Sequence, residues 1–226
     1  MPSSSDPGGM KTGALRIGAL VSGNGSNLQA IIDRCADGGI PGAVVCVISN
    51  SASAFGLERA RRHGIPALHL DHRLYPSREA YDEALVATLR QYEVDLVCLA
   101  GFMRIITRFL IDAFPSAIMN IHPALLPAFP GLHVQKAALE HGVKFSGCTV
   151  HFVDEGMDTG PIIIQAVVPI LDNDTEDSLS ARILEQEHKI YSRAIQLYAE
   201  GRLVIEGRRV VVAQGKSSTH EFLINP

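Results

Sequence analysis

Three polar side chains fall in turn-rich segments next to apolar, strand-like runs. Asn120 and His122 lie in Asn-Ile-His-Pro-Ala-Leu-Leu-Pro (120–127), and Asp158 lies in Asp-Thr-Gly-Pro (158–161). A carboxamide can donate to an oxyanion, an imidazole can carry a proton near neutral pH, and a carboxylate can hold an imidazole charged. Together they point to acyl transfer without a metal or a covalent intermediate. Asn-x-His alone is a weak signal. A histidine between apolar residues is more often a hydrogen-bonded structural group. His122 differs through its neighbours, because prolines at 123 and 127 stiffen the chain that follows it.

A second chemical feature precedes these. Ser-Gly-Asn-Gly-Ser-Asn (22–27) follows an apolar run and opens a helical pattern. Its two glycines permit positive φ and close backbone approach. The start of a helix adds free N–H groups and partial positive charge, which suits a phosphate. The pattern is not the dinucleotide fingerprint. Leu28 stands where the third glycine belongs, and Ser-Asn-Ser (49–51) offers no acidic ribose partner. A plain tight turn before a capped helix is the competing reading. Gly215-Lys216-Ser217 imitates the close of a phosphate loop, but Val210 occupies the place of the upstream glycine.

Other polar residues are less specific. The nine histidines form no ligand set with cysteines or carboxylates, so no metal site is expected. His151 lies on a strand-like segment and could face a core or a cleft. Arg104 follows a buried strand, where α/β sheets bind ligands, yet a surface ion pair explains it equally well. Arg78 and Glu187 read as exposed helical charges on spacing alone. Cys35, Cys46, Cys98 and Cys148 show no metal-like spacing and read as reduced, structural thiols, which points to a cytoplasmic location.

The elements that must position these groups follow from periodicity. Apolar runs at 15–21, 43–49, 67–70 and 94–101 suit buried strands. Helical patterns cover 27–37, 54–63 and 77–92, the last opened by a capping-box pattern at Ser77. This alternation predicts an α/β, Rossmann-like fold, a mostly parallel sheet flanked by helices. After residue 145 the pattern changes. Strands at 146–153 and 161–169 enclose the loop 154–160, a long helix runs from 175 to 199, and a small hairpin follows at 203–212. Antiparallel strands are therefore expected in the C-terminal part. One domain over 15–213 is expected, with a disordered tail at 1–14 and a loose tail at 214–226.

Bulk properties agree with a packed enzyme-sized core. The chain has 226 residues, 46% of them apolar and 19% charged, with a net charge of -4. Global disorder and a nucleic-acid partner both lose support from these values. No apolar run is long enough to span a membrane, and the N-terminus carries no apolar signal core.

Several segments together resemble a known family. SGNGSNLQAII (22–32), AGFMRIIT (100–107), NIHPALLPAFPGLH (120–133), GCTVHFVDEGMDTGPII (147–163) and EQEHKIY (185–191) closely resemble the phosphoribosylglycinamide formyltransferases, folate-dependent enzymes of purine synthesis. The likeness runs from about residue 15 to 210. It implies formyl transfer from 10-formyltetrahydrofolate to the amine of glycinamide ribonucleotide. It implies that Gly25, Ser26 and Asn27 hold the ribonucleotide, with Leu184, Glu185, Gln186 and Glu187 as its second contact and Glu187 on the ribose hydroxyls. Arg78, Met103, Arg104, Ile105 and Ile106 match the folate positions, and Asn120 also touches the formyl donor. Asn120, His122 and Asp158 match the catalytic set. The resemblance leaves a homodimer open. Methionyl-tRNA formyltransferases share Asn-x-His but carry Arg-Gly after Leu-Leu-Pro, where Phe-Pro-Gly-Leu (129–132) stands here. They also add a nucleic-acid-binding domain. Formyltetrahydrofolate hydrolases add an N-terminal regulatory domain and lack the phosphate form of the glycine turn. The remaining alternatives are hydrolysis of the formyl donor and a non-catalytic ribonucleotide-binding module.

Overall fold

The computed structural model of the chain describes residues 13–213. The expectations for the far ends, including Gly215-Lys216-Ser217, lie outside the described residues. Among the described residues fifteen α-helices and β-strands alternate along the first half and then change character. They are β1 (Leu15–Val21), α1 (Ser26–Ala36), β2 (Gly42–Ser49), α2 (Phe55–Arg62), β3 (Ala67–His69), α3 (Arg78–Gln91), β4 (Leu96–Leu99), α4 (Arg108–Ala113), β5 (Ile118–His122), α5 (Val134–His141), β6 (Phe145–Phe152), β7 (Ile162–Pro169), α6 (Glu176–Ala199), β8 (Leu203–Glu206) and β9 (Arg209–Val212).

Among the described residues the strands form one sheet in the order β3-β2-β1-β4-β5-β6-β7-β9-β8. The five strands from β3 to β5 are parallel. β6 runs antiparallel to β5 and to β7. β9 is parallel to β7, and β8 closes the far edge antiparallel to β9. The expected mixed sheet, mostly parallel with antiparallel strands late in the chain, is present.

Burial explains why the halves read differently in sequence. The central strands have helices on both faces, so Ile17 to Val21 and Leu96 to Leu99 are buried without interruption. From Gln165 onward β7 alternates exposed and buried residues, because α6 covers one face only. Leu179, Ile183, Ile190 and Ile195 of α6 are at most 1% exposed. They join Ala166, Val168 and the α1 residues Leu28 and Ile31 in one cluster. Each such side chain contributes about 1.5–3 kcal/mol by leaving water. Thr175 and Ser178 cap α6 reciprocally, and Glu176 and Asp177 favour its positive end. At α3 the Ser77 hydroxyl accepts from Ala80 N, so the cap forms but the acidic half of the box does not.

One expectation is corrected. Asn120 and His122 do not sit in a turn-rich segment. They lie on β5, with His122 its last residue. Ile118, Met119 and Ile121 are buried, but the two polar residues between and after them break the apolar run that would announce a strand. Helix α4, a single short stretch without a periodic apolar stripe, was likewise not anticipated.

The strand order reverses direction at β1, which has β2 on one side and β4 on the other. Crevices outside the carboxyl ends of such strands are where open α/β sheets take ligands. The turn after β1 and the segment after β4 meet there. Ser22 N donates to Gly101 O at 3.0 Å, and the Ser22 hydroxyl accepts from Met103 N at 2.8 Å while donating to Asn50 at 2.6 Å.

Candidate active site

Asn120 and His122 are two residues apart on a strand, so they project from the same face. The antiparallel register places His151 opposite Asn120 and Thr149 opposite His122. The 154–160 loop between β6 and β7 returns Asp158 to this spot. Asp158 adopts φ +55, a left-handed backbone that a non-glycine residue holds at some energetic cost and that recurs at functional sites. Phe129 (φ +52) and His133 (φ +55) share that conformation in the facing segment. Asn120, His122 and Asp158 thus lie side by side at the end of β5.

Hydrogen-bond chemistry fixes how the rings are used. His151 Nδ1 lies 2.8 Å from the Phe152 carbonyl. A carbonyl only accepts, so Nδ1 carries the proton. Burial pushes the His151 pKa down from its usual value, outweighing the favourable charge of Asp158. The ring is therefore neutral, and its Nε2 accepts from the Asn120 amide nitrogen at 3.2 Å. The 3.8 Å approach of His151 Nε2 to Asp158 is then no ion pair. His122 Nε2 donates to the Phe129 carbonyl at 2.8 Å, so its Nδ1 is the atom that faces Asp158 Oδ2, 3.4 Å away.

Two contacts in this cluster are long. They are His122 Nδ1 to Asp158 at 3.4 Å and Asn120 Nδ2 to Asp158 Oδ1 at 3.5 Å. Both are weak as hydrogen bonds. The supporting contacts are short, as with Gly131 N, which donates to Asp158 Oδ2 at 2.9 Å. Behind His122, the Thr149 hydroxyl donates to Ala124 O at 2.7 Å and accepts from Leu126 N at 3.1 Å, which fixes the chain that leaves β5. Gln165 holds Leu126 O and Thr149 from β7. The peptide bond before Pro127 is cis.

The glycine turn forms the second part of the site. Gly25 has φ +72, and a Cβ there would lie 2.7 Å from the Gly56 Cα. Only glycine fits at this crossing of turn and α2. Asn27 is buried, and its amide donates to Glu187 Oε2 at 2.7 Å. Burial raises the Glu187 pKa against the lowering effect of that hydrogen bond. Glu187 is therefore not the exposed helical charge that spacing alone allowed, because α6 turns it inward beside α1. Of its neighbours, Leu184 and Gln186 are half-buried and Glu185 is exposed. Tyr191, one turn beyond Glu187, donates to Met119 O at 2.9 Å and contacts Leu99 O at 3.2 Å. This bond seats α6 against the strand that carries Asn120.

The segment after β4 presents a mixed surface. Met103 and Ile105 are 66% and 59% exposed. The Arg104 guanidinium lies over the Tyr81 ring at 5.4 Å, whereas Ile106 is buried in the core beneath α3. Ile106 can therefore offer a ligand little beyond its backbone. Buried Asp82 accepts from Thr107 N and anchors the segment to α3. Arg108 reaches Glu155 of the 154–160 loop at 3.2 Å. Arg78 is exposed at the first turn of α3.

Sequence reasoning missed Thr149, Gln165 and Arg59, and it left His151 undecided. The T-V-H alternation at 149–151 would have put Thr149 and His151 on one strand face. Only the β5–β6 register reveals that this face meets Asn120 and His122. Among the described residues no three His, Cys, Asp or Glu side chains are grouped to hold a metal ion. No helix there is long and apolar enough to cross a membrane. Burial pushes the Cys35 thiol up to about 11 and Cys46 up to about 12, as befits inert thiols.

Comparison with known proteins supplies an independent line. The sequence profile of the formyl transferase family matches residues 15–195. The chain is 49% identical over 189 residues to the phosphoribosylglycinamide formyltransferase of Escherichia coli, covering 84% of this chain and 89% of that protein. It is 53% identical over 192 residues to the trifunctional purine biosynthetic protein adenosine-3 of Drosophila melanogaster, covering 84% of this chain but 14% of that much longer protein. The crystal structure of glycinamide ribonucleotide transformylase 1 from Symbiobacterium toebii superposes with a TM-score of 0.89 at 59% identity, over 94% of this chain and all of that one.

Proposed function

The chain belongs to the formyl transferase family, and from that premise we propose that it is a phosphoribosylglycinamide formyltransferase of purine biosynthesis. It transfers the formyl group of 10-formyltetrahydrofolate to the amine of glycinamide ribonucleotide. The observation that carries this reading is the convergence of Asn120, His122 and Asp158 at the end of β5, in a chain so similar to proteins named for that activity.

The residues present suit both substrates. The glycine turn offers backbone N–H groups at the start of α1 for a phosphate. Glu187, already accepting from Asn27, has a second carboxylate oxygen for a ribose hydroxyl. Exposed Met103 and Ile105 supply apolar surface for a flat heterocycle, and exposed Arg78 supplies a cation for a carboxylate tail. The Ser22 bridge keeps the two regions in contact. All these residues lie on one chain, so the reading requires no second copy.

The donor brings an electrophilic formyl carbon, and the ribonucleotide brings its own nucleophile. An α-amino group has a pKa near ~8, so a useful fraction is neutral at ordinary pH. Much of the acceleration then comes from holding amine and carbon together. Asn120 donates the N–H that now reaches weakly towards Asp158 to the developing oxyanion. One such donor is typically worth about 3–4 kcal/mol in the transition state. His122 Nδ1 and Asp158 Oδ2 face each other beside that region, placed to stabilise charge and to pass the proton that the amine loses to N10 of the folate, whose bond to the formyl carbon breaks as the tetrahedral centre collapses.

The test is an assay of donor consumption with and without glycinamide ribonucleotide. Consumption that requires the ribonucleotide, with stoichiometric formylated product, is expected. Formate release without any acceptor would make the protein a deformylase instead. Ribonucleotide binding with no turnover would leave a binding module.

A further inference from the structure

The glycine turn is gripped from outside by α2. Gly56 N donates to Gly23 O at 3.1 Å, and Gly56 packs directly against Gly25. One turn further along α2, Arg59 reaches back over the same peptide. Its Nε donates to Asn24 O at 2.8 Å and its Nη2 to Asn24 Oδ1 at 2.8 Å. The remaining Nη1 contacts Gln29 Oε1 of α1 at 3.3 Å. The guanidinium also stacks over Phe55, 4.8 Å from the ring centre. These partners fix a half-buried side chain in one orientation.

We propose that Arg59 is the positioning residue of the ribonucleotide phosphate site. Its two-pronged grip on Asn24 holds the turn open so that the backbone N–H groups after it converge on the anion. This inference rests on the reading of the turn as the phosphate site. Several features separate Arg59 from an ordinary surface charge. Both prongs end on one residue of the turn, on its backbone carbonyl and its side chain. The left-handed Gly25 follows immediately, so that carbonyl sets the direction in which the next N–H groups point. A planar fork can hold a carbonyl and an amide oxygen at once, which a lysine ammonium cannot do with the same geometry. The charge is also felt across the site, since Arg59 adds to burial in depressing the pKa of His188, the neighbour of Glu187 on α6. Arg62 gives the contrast. It lies on the same helix over the same Phe55 ring, but its bond runs to half-buried Glu58 of that helix and not to the turn.

The experiment measures steady-state kinetics and inhibition by inorganic phosphate for the wild-type chain, Arg59→Ala, Arg59→Lys and Arg62→Ala. In the wild type, phosphate is expected to compete with the ribonucleotide and not with the donor. Arg59→Ala is expected to raise the ribonucleotide KM and the phosphate inhibition constant together, by about tenfold, the scale of a lost charge-assisted grip. Its kcat and donor KM should stay within about threefold. Arg59→Lys should recover only part of the loss, and Arg62→Ala should behave as wild type. Absence of phosphate competition in the wild type would remove the anion site itself. Normal competition in the wild type with unchanged constants in Arg59→Ala would overturn the role of Arg59 alone. Full recovery by lysine would also overturn it, by showing that charge and not the fork is what matters. Arg59→Lys keeps the test decisive should Arg59→Ala fail to fold.

Discussion

The two halves of the site are built differently. At the glycine turn the contacts are short and finished: Asn27 to Glu187 at 2.7 Å and Arg59 to Asn24 at 2.8 Å. Glycine supplies the unusual backbone there without strain. At the end of β5 the supports are short but the central contacts are long, at 3.4 and 3.5 Å. Non-glycine residues hold the unusual backbone there. The difference matches the two tasks. A phosphate arrives fully charged, so its site can be completed in advance. An oxyanion exists only in transit, so its donors must be aimed but not yet committed. The weakly engaged N–H of Asn120 can be redirected to it with little loss.

The largest effect expected from this contrast is at Asp158. Asp158→Asn keeps the acceptor for Gly131 N but removes the charge that faces His122 Nδ1. Turnover should fall by about 10³–10⁴-fold, the scale of losing a carboxylate partner of a catalytic imidazole, with the circular-dichroism spectrum unchanged. Turnover within a few-fold of wild type would remove Asp158 from the chemistry.

At the ribonucleotide end the expected effect is smaller and carries a stability signature. Burial raises the Glu187 pKa, so the folded protein favours the protonated acid. That contribution is present below the ordinary glutamate pKa of about 4.3 and is lost as pH rises through the folded value, so at neutral pH the carboxylate destabilises the free protein. Glu187→Gln should therefore raise the melting temperature at pH 7. It should also raise the ribonucleotide KM by about tenfold, the scale of a lost hydrogen bond to a charged group, and leave the donor KM alone. A loss confined to the donor would reverse the assignment of the two halves.

The smallest effect concerns His151. Its folded pKa is depressed, so its contribution to stability is full above the ordinary value of about 6.5 and fades as pH falls towards the folded value. In His151→Asn the fall in melting temperature between about pH 6.5 and 5 should be shallower. An identical slope would mean that the ring is not held neutral against Asn120.

How much of this was legible in the sequence follows from where each signal resides. Unbroken apolar runs announced β1, β2 and β4 because those strands are covered on both faces. Thr175 and the apolar stripe of α6 marked that helix to within a residue. β5 stayed hidden because Asn120 and His122, the very residues that carry the chemistry, interrupt its apolar pattern. The chemistry of Asn120, His122 and Asp158 could be guessed from their types. Their supports could not, because His151 and Thr149 reach them through antiparallel register, and Arg59 reaches Asn24 across a gap of 35 residues. Glu187 shows the same limit, since helical spacing does not say which face meets a neighbour.

The central claim is that the amide of Asn120 acts on the transition state and not on the bound donor. Single-turnover formyl transfer by Asn120→Ala, with both substrates saturating, tests it when set beside the equilibrium affinity for the donor. The rate constant is predicted to fall by about 10²–10³-fold, with the donor affinity within about threefold of wild type. An unchanged rate constant with a large loss of donor affinity would contradict the account.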